Sequence, residues 1–313
     1  MKAIAINNYG SVDEFHEIEL PVPTLAPDEV LVKVKATSVN PIDWKARLGY
    51  LQKMYPWHFP IVLGWDVAGT ITKVGSAVHD FKVGDDVFAR PDIYNEGQYG
   101  TYAEFTKVKQ DKLALKPSRL SFQEAAAVPL AGLTAWQVIV DRLQVKKGDK
   151  VLIQAGAGGV GLFAIQIAKH LGAVVATTAS ARNADWLRKL GADTVIDYHT
   201  QDYTQLLTDY DAVFDTTDDI ANGLKILKPE GRLVTIAGHP ADSQKTAKPS
   251  AEAWWLQPNG HQLAELGQLI NDGVVKVIID STFPLSVQGV RDAQQKSEGN
   301  HARGKIVIVA TDN

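Results

Sequence analysis

The sequence predicts an α/β protein in which a β-rich first part precedes a doubly wound parallel sheet. Three observations carry this. From Asp149 onward, short apolar runs alternate with amphipathic helical stretches, and glycines mark the turns. A glycine-rich stretch, residues 155–161, stands between the first such run and the first helix. Before Leu120, apolar and polar residues alternate with the period of a half-buried strand.

In chain order, Pro21, Pro23 and Pro27 keep the early segment extended and out of any helix. Residues 30–36 alternate as a strand, and residues 66–74 repeat the pattern after a Gly break. Gly84-Asp85 and the Pro/Asn/Gly cluster from Pro91 to Gly100 punctuate further short strands. Together these predict a compact, irregular antiparallel β unit. Ser121 with Glu124 three residues later has the spacing of a capping box before an alanine-rich helix.

The β-α series then runs in order. Residues 150–154 form a strand, Val160 to Leu171 a helix closed by Gly172, and residues 173–177 a strand. Asn183 to Leu190 is a helix stopped by Gly191, followed by strands at 194–197 and 211–215. A helix near Ile220 to Leu227 and a strand at 231–236 continue the series. His239 to Ser250 is polar and proline-containing and reads as a surface loop. A last helix, Gln262 to Asn271, carries Leu263, Leu266, Leu269 and Ile270 on one side, and residues 305–309 form a terminal strand.

At 313 residues the chain suits two domains or one large α/β domain. Its 45% hydrophobic and 22% charged residues are the balance of an ordinary globular protein. A net charge of −4 counts against a nucleic-acid binder that works by neutralising phosphates. With no cysteine, disulfides, thiol nucleophiles and thiolate zinc sites are absent, which fits a reducing compartment. Met1 to Ile6 soon meets Asn7 and Asn8, so no signal-peptide core develops, and no apolar run approaches the roughly 18 residues that cross a bilayer. The expectation is a soluble cytoplasmic protein that engages no membrane.

Gly156, Gly158 and Gly161 satisfy Gly-x-Gly-x-x-Gly between a predicted strand and a predicted helix. Gly156 permits the tight turn, Gly158 lets backbone approach a pyrophosphate, and Gly161 lets helix and strand pack closely. Gly159, Val160 and Gly161 open the helix, whose free N–H groups favour an anion. Such turns also recur for packing alone, but the β-α series that follows favours dinucleotide binding. Where an acid would hold the ribose of NAD, the chain has Thr177-Thr178-Ala179-Ser180-Ala181-Arg182-Asn183. A hydroxyl at Ser180 and a guanidinium at Arg182 suit a 2′-phosphate, so the cofactor reads as NADPH. The alternative is a helix cap at Ser180 or Asn183 beside a solvated arginine.

Ordered along the whole chain are Ser38-Val39-Asn40-Pro41-Ile42-Asp43-Trp44-Lys45, Gly64-Trp65-Asp66-Val67-Ala68-Gly69 and Val83-Gly84-Asp85-Asp86-Val87-Phe88. Residues 129–135, the glycine turn, Leu190-Gly191-Ala192-Asp193 and Arg303-Gly304-Lys305-Ile306-Val307 complete the series. In these the chain resembles the zinc-free medium-chain dehydrogenase/reductases, of the quinone oxidoreductase and enone (alkenal) reductase branch. The resemblance implies a GroES-like catalytic domain, residues 1–122 completed by 261–313, with a Rossmann NADP-binding domain, 123–260, inserted between. Zinc-using members of the wider family carry a His and a Glu where Trp65 and Asp66 stand here, and a cysteine before the position of Asn40. His58, His79 and Asp66 are the residues that could otherwise meet around a metal, but their spacing does not require it. No metal is expected.

Carried over by position, Asn40 and Thr134 lie near the nicotinamide end, and Ser180, Arg182 and Tyr198 surround the 2′-phosphate. Ala237 lines the nicotinamide side, and Arg303 or Lys305 reaches the cofactor from the last strand. Each has a plainer alternative: Tyr198 covering a sheet edge, Thr134 packing a helix, Lys305 solvated at a strand end. Lys45, where several quinone oxidoreductases carry tyrosine, can bond the cofactor ribose or the acceptor carbonyl and stabilise a developing enolate. It can equally be a surface lysine beside Asp43. Tyr50 is a candidate proton donor. Trp44, Trp65 and Tyr55 are either an aromatic acceptor pocket or core packing.

The resemblance implies hydride transfer from NADPH to a quinone or an α,β-unsaturated carbonyl, in a homodimer joined by edge pairing of its coenzyme domains. Two alternatives are a one-electron quinone reductase and a non-catalytic NADPH sensor or moonlighting RNA- or protein-binding module. Radical detection separates the first, and cofactor binding without turnover the second.

Overall fold

The computed structural model describes residues 1–92 and 99–310. The turn cluster read at Pro91 to Gly100 therefore lies largely outside the described residues. Contacts divide the chain into two compact units. One comprises residues 1–131, 258–272 and 277–313, and the other residues 132–257 and 273–276.

The first unit is built on long antiparallel pairing, as the alternation predicts. Glu29–Val39 is its central strand. Along one edge it pairs antiparallel with Val67–Val74, which continues through Asp86–Ala89 to Leu113–Leu115. Along the other edge its first half pairs with Phe105–Lys109 and its last residues with Lys305–Val309. That second pairing sets Val39 opposite Ile306 and so brings the start of the terminal strand beside Asn40. A smaller sheet joins Phe15–Glu19, Lys2–Ile6 and Ile61–Val62. The unit buries an aliphatic cluster of Val30, Val32, Val34, Val67 and Ile71, and a mixed one of Ile4, Ile6, Phe15, Trp57 and Trp65.

Three elements of this unit were not legible as such. Pro41–Arg47 is a helix, started by Asn40 at its N-cap and Pro41 in its first turn. Gly260–Asn271 is the helix expected at 262–271, with Leu263, Leu266 and Ile270 buried, each contributing about 1.5–3 kcal/mol. It is not the last one. The chain adds a strand at Ile279–Pro284, parallel to Lys305–Val309, and a helix at Val287–Glu298. That helix is polar apart from a narrow face of Val287, Val290 and Ala293, and Ser286 caps it by accepting from the Gly289 N–H.

In the second unit, the described residues form a parallel sheet of six strands. Its order is Thr194–Asp197, Val174–Ala179, Lys150–Ile153, Tyr210–Asp215, Leu227–Thr235 and Ser250–Ala253. The order reverses direction on either side of Lys150–Ile153, which marks a doubly wound sheet. The segment read as a loop at 239–250 holds a helical turn, Asp242–Lys245, and leads into the edge strand Ser250–Ala253. That strand reads Ser-Ala-Glu-Ala, without the β-branched residues that signal one. Residues 273–276 belong to this unit because Gln166 clamps Lys276 through both backbone groups, at 3.0 and 2.8 Å.

The glycine turn differs from expectation in one respect. The left-handed residue is Ala155, at φ 48°, and not a glycine. Gly156 is needed for space: a Cβ there would meet Thr177 Oγ1 at 2.1 Å. Gly161 is needed likewise, its Cβ falling 2.6 Å from the Ala155 carbonyl, whereas at Gly158 the nearest atom is that same carbonyl at 3.3 Å. Gly161→Ala should therefore lower stability by about 1–3 kcal/mol, and Gly158→Ala by less. Urea unfolding of the two variants checks this, and equal midpoints would contradict it.

Candidate functional site

Lys150–Ile153 ends at the glycine turn, and Gly159–His170 leaves it as a largely buried helix. Thr178 holds the turn, its Oγ1 accepting from the Ala155 N–H at 3.0 Å and its carbonyl from the Gly156 N–H at 3.1 Å. Thr177 donates to the Ile153 carbonyl at 2.6 Å and fills the space opposite Gly156. The helix starts at Gly158 with no side-chain cap, so its first N–H groups stay available to an anion. These donors, beside the least crowded glycine of the motif, fit a pyrophosphate.

Ser180 and Arg182 follow the neighbouring strand, and Tyr198 follows the next, whose Asp197 pairs with Ala179. The structure thus brings these three to adjacent strand ends. Ser180 Oγ accepts from Asn183 Nδ2 at 3.2 Å, which leaves its own hydrogen to donate. Arg182 is exposed and makes no hydrogen bond or ion pair among the described residues. Tyr198 is exposed, with its ring against His199 at 4.2 Å between centroids. Ala237 is exposed just past the strand end, its N–H bonded to Thr235 Oγ1. Thr134 belongs to this unit and is buried.

Asn40 and Lys305 meet inside the first unit. Lys305 Nζ donates to Asn40 Oδ1 and, at 3.2 Å, to the Val39 carbonyl, and it lies 3.5 Å from Asp66 Oδ2. Asn40 Nδ2 donates to Asp66 Oδ2 at 2.7 Å. Ser38 Oγ donates to the same oxygen at 2.5 Å, and the Leu130 N–H to Asp66 Oδ1 at 2.7 Å. Ser38, Asn40, Asp66 and Lys305 are all buried. Burial lowers the Lys305 pKa, and the carboxylates of Asp66 and Asp43 counter part of that fall.

Asp43 extends the cluster. Its Oδ2 accepts from the Asn40 N–H at 2.8 Å and its Oδ1 from Tyr102 at 3.0 Å. Arg47 beyond it bonds Gln294 and, at 2.7 Å, Glu298. Sequence reasoning missed Ser38, Asp43 and Tyr102, and weighed Asp66 only as a metal ligand. The available signals were an acid inside the apolar run 61–71 and the Asn-x-x-Asp spacing at a helix start.

Lys45 and Tyr50 lie on and just beyond the same helix, joined by a backbone bond from the Tyr50 N–H to the Lys45 carbonyl. Lys45 is half-buried, its ammonium 5.6 Å from the centre of the Trp44 ring, and Tyr50 is 68% exposed. Arg303 is exposed, its N–H bonded to Asp280. Of the aromatic residues, Trp65 is fully buried in the core against Trp57, and Tyr55 stacks on Trp57. Core packing therefore accounts for Trp65. Among the described residues, no group of three His, Cys, Asp or Glu side chains is placed to hold a metal ion.

A doubly wound sheet with an anion-ready glycine turn, in one chain with an antiparallel β unit of this topology, defines a dinucleotide-binding dehydrogenase or reductase. An alcohol dehydrogenase GroES-like domain matches residues 26–118 and a zinc-binding dehydrogenase domain residues 190–308. The NADPH-dependent alkenal/one oxidoreductase of Arabidopsis thaliana chloroplasts is 38% identical over 98% of this chain and 79% of its own. The quinone oxidoreductase of Coxiella burnetii superposes with a TM-score of 0.89 at 34% identity, covering 99% of each chain. The Escherichia coli quinone oxidoreductase, solved with NADPH, gives 0.84 at 28% identity over 99% of this chain and all of that one. The chain belongs to the medium-chain dehydrogenase/reductase family, in the zinc-free branch of quinone oxidoreductases and alkenal/one oxidoreductases.

Burial pushes the Asp43 carboxyl from 3.8 up to about 7, against the pull of its bonds from Asn40 and Tyr102. A raised acid binds its proton more tightly folded than unfolded. Its contribution is therefore full below pH 3.8 and is lost as pH rises through about 7. The loss is on the order of 4 kcal/mol at most. The parent should be more stable at pH 5 than at pH 8 relative to Asp43→Asn, in which that difference disappears. Denaturant midpoints of both proteins at the two pH values measure it, and parallel profiles would refute the assignment.

Proposed function

We propose that the protein is an NADPH-dependent oxidoreductase that reduces a quinone or an α,β-unsaturated carbonyl. The observation that carries this is the pairing of an anion-ready glycine turn with the unpartnered Arg182 guanidinium beyond the next strand. A fork of guanidinium donors suits a 2′-phosphate, and Ser180 and Tyr198 stand at the same strand ends to complete its recognition. The names of the relatives in this branch support the same cofactor and the same acceptors.

Bound NADPH supplies a hydride from C4, and the protein supplies position and charge. The unit of residues 132–257 and 273–276, close to the 123–260 expected from the sequence, serves as the coenzyme domain, and the other unit, close to the expected 1–122 with 261–313, as the catalytic domain. Gly156, Gly158, Gly159, Val160 and Gly161 receive the pyrophosphate. Asn40, with Thr134 and Ala237, orients the nicotinamide end, and Arg303 adds a charge toward the cofactor. Lys45 donates to the acceptor oxygen and stabilises the enolate that forms as the hydride reaches the β-carbon. Tyr50 or water then supplies the proton that converts the enolate to the saturated carbonyl. No described helix is long and apolar enough to cross a membrane, and a cytoplasmic homodimer paired along Ser250–Ala253 fits this reading.

Chelator-treated protein should oxidise NADPH faster than NADH with 1,4-benzoquinone or an alkyl vinyl ketone, and act poorly on a simple aldehyde. Arg182→Ala should raise the NADPH Kd by about 10–100-fold and leave the NADH Kd unchanged. Cofactor binding without turnover on any acceptor would favour a sensor. Equal loss of both cofactors in Arg182→Ala would remove Arg182 from 2′-phosphate recognition.

A further inference from the structure

An asparagine at a helix N-cap ordinarily turns its side-chain oxygen onto the N–H groups of the first turn. Asn40 does not. The turn is closed instead by its carbonyl, which accepts from the Asp43 N–H, and by the Asp43 carboxylate, which accepts from the Asn40 N–H. The freed amide is held at both ends by groups of fixed polarity. Lysine can only donate, so the Lys305 contact identifies Oδ1, and the carboxylate of Asp66 identifies Nδ2. Asp66 is fixed in turn by Ser38 and the Leu130 N–H.

We infer that Lys305 and Asp66 are positioning residues, which act on hydride transfer by locking the Asn40 amide in one orientation. This rests on the reading of Asn40 as the group that orients the nicotinamide. It gives Lys305 a task different from reaching the cofactor. An ammonium has three hydrogens, and the three acceptors around Lys305 are the Val39 carbonyl, Asn40 Oδ1 and Asp66 Oδ2. The lysine is 4% exposed and Asp66 has no exposed surface. After both clamps the Asn40 amide keeps one N–H and one lone pair. With the flip barred, those two offer donor and acceptor in a single arrangement. A misplacement of about 1 Å at such a position costs on the order of 100-fold in rate.

The test compares Lys305→Met, Lys305→Arg and the charge-neutral pair Asp66→Asn with Lys305→Met. The double variant leaves no unpaired buried charge and so guards against simple misfolding. NADPH affinity, kcat with 1,4-benzoquinone and the isotope effect from 4-deuterated NADPH are measured, with the Asn40 side-chain amide followed by ¹⁵N NMR. We expect an NADPH Kd within about 3-fold of the parent, kcat lower by roughly 10–100-fold and a larger isotope effect. The Asn40 NH₂ signals should shift and exchange faster, and Lys305→Arg should recover part of kcat. A large rise in Kd with kcat intact at saturating NADPH would make Lys305 a cofactor ligand and overturn the inference, as would unchanged Asn40 signals. A parent chain that turns over no acceptor would overturn the functional reading instead, with the NMR comparison still reporting whether the amide is locked.

Discussion

Asp66 is a carboxylate with no exposed surface, and the first unit is arranged to satisfy it. Its four partners come from three places in the chain: Ser38 and Asn40 at the end of the central strand, the Leu130 backbone, and Lys305 at the start of the terminal strand. None of these contacts is local. They form only when the antiparallel register sets Val39 against Ile306 and the strand from Val67 against the same central strand. A slip of one residue would turn Lys305 to the other face and strand a buried carboxylate. A buried pair of this kind adds little net stability over an apolar filling, but losing one partner is costly. Its effect is to select one register.

The second unit rests on steric constraint instead of charge. Ala155 takes a left-handed conformation so that the strand can turn into its helix within a few residues, and Thr177 and Thr178 hold that turn from the neighbouring strand. Gly156 and Gly161 leave no space for a Cβ in this packing. Gly158 is the least crowded of the three, a Cβ there meeting only the Ala155 carbonyl at 3.3 Å.

That contrast explains what could be read from the sequence. The glycine turn is contiguous, and the buried strands beside it are rich in apolar residues, so the fold class and the turn were legible together. The helix Val287–Glu298 was not read, because apart from Gly289 its only apolar residues are Val287, Val290 and Ala293 among twelve. Nor was Ser250–Ala253, where pairing with Leu227–Thr235 makes a strand of residues that carry no strand preference. The cluster around Asp66 was hidden for a further reason. Residues 38, 40, 66, 130 and 305 share no spacing, and only the folded register shows that they belong together. Lys305 was legible as important from the terminal motif, but its direction was not, since a strand residue points to one face or the other by register alone.

A polar cluster at this depth also has a chemical reason. An apolar filling would leave the Asn40 amide free to flip, and a flipped amide exchanges donor for acceptor at the same point in space. Preorganised dipoles act on a reaction only if they need not reorient as it proceeds. Lys305 and Asp66 remove that freedom in the ground state, and Asp43 fixes the backbone of the same residue from the opposite side. The cost appears where two carboxylates share the interior with one ammonium. Burial then raises the Asp43 pKa to about 7, and the nearby Asp66 charge adds to the rise. The first unit gives up stability at that aspartate to keep one asparagine still.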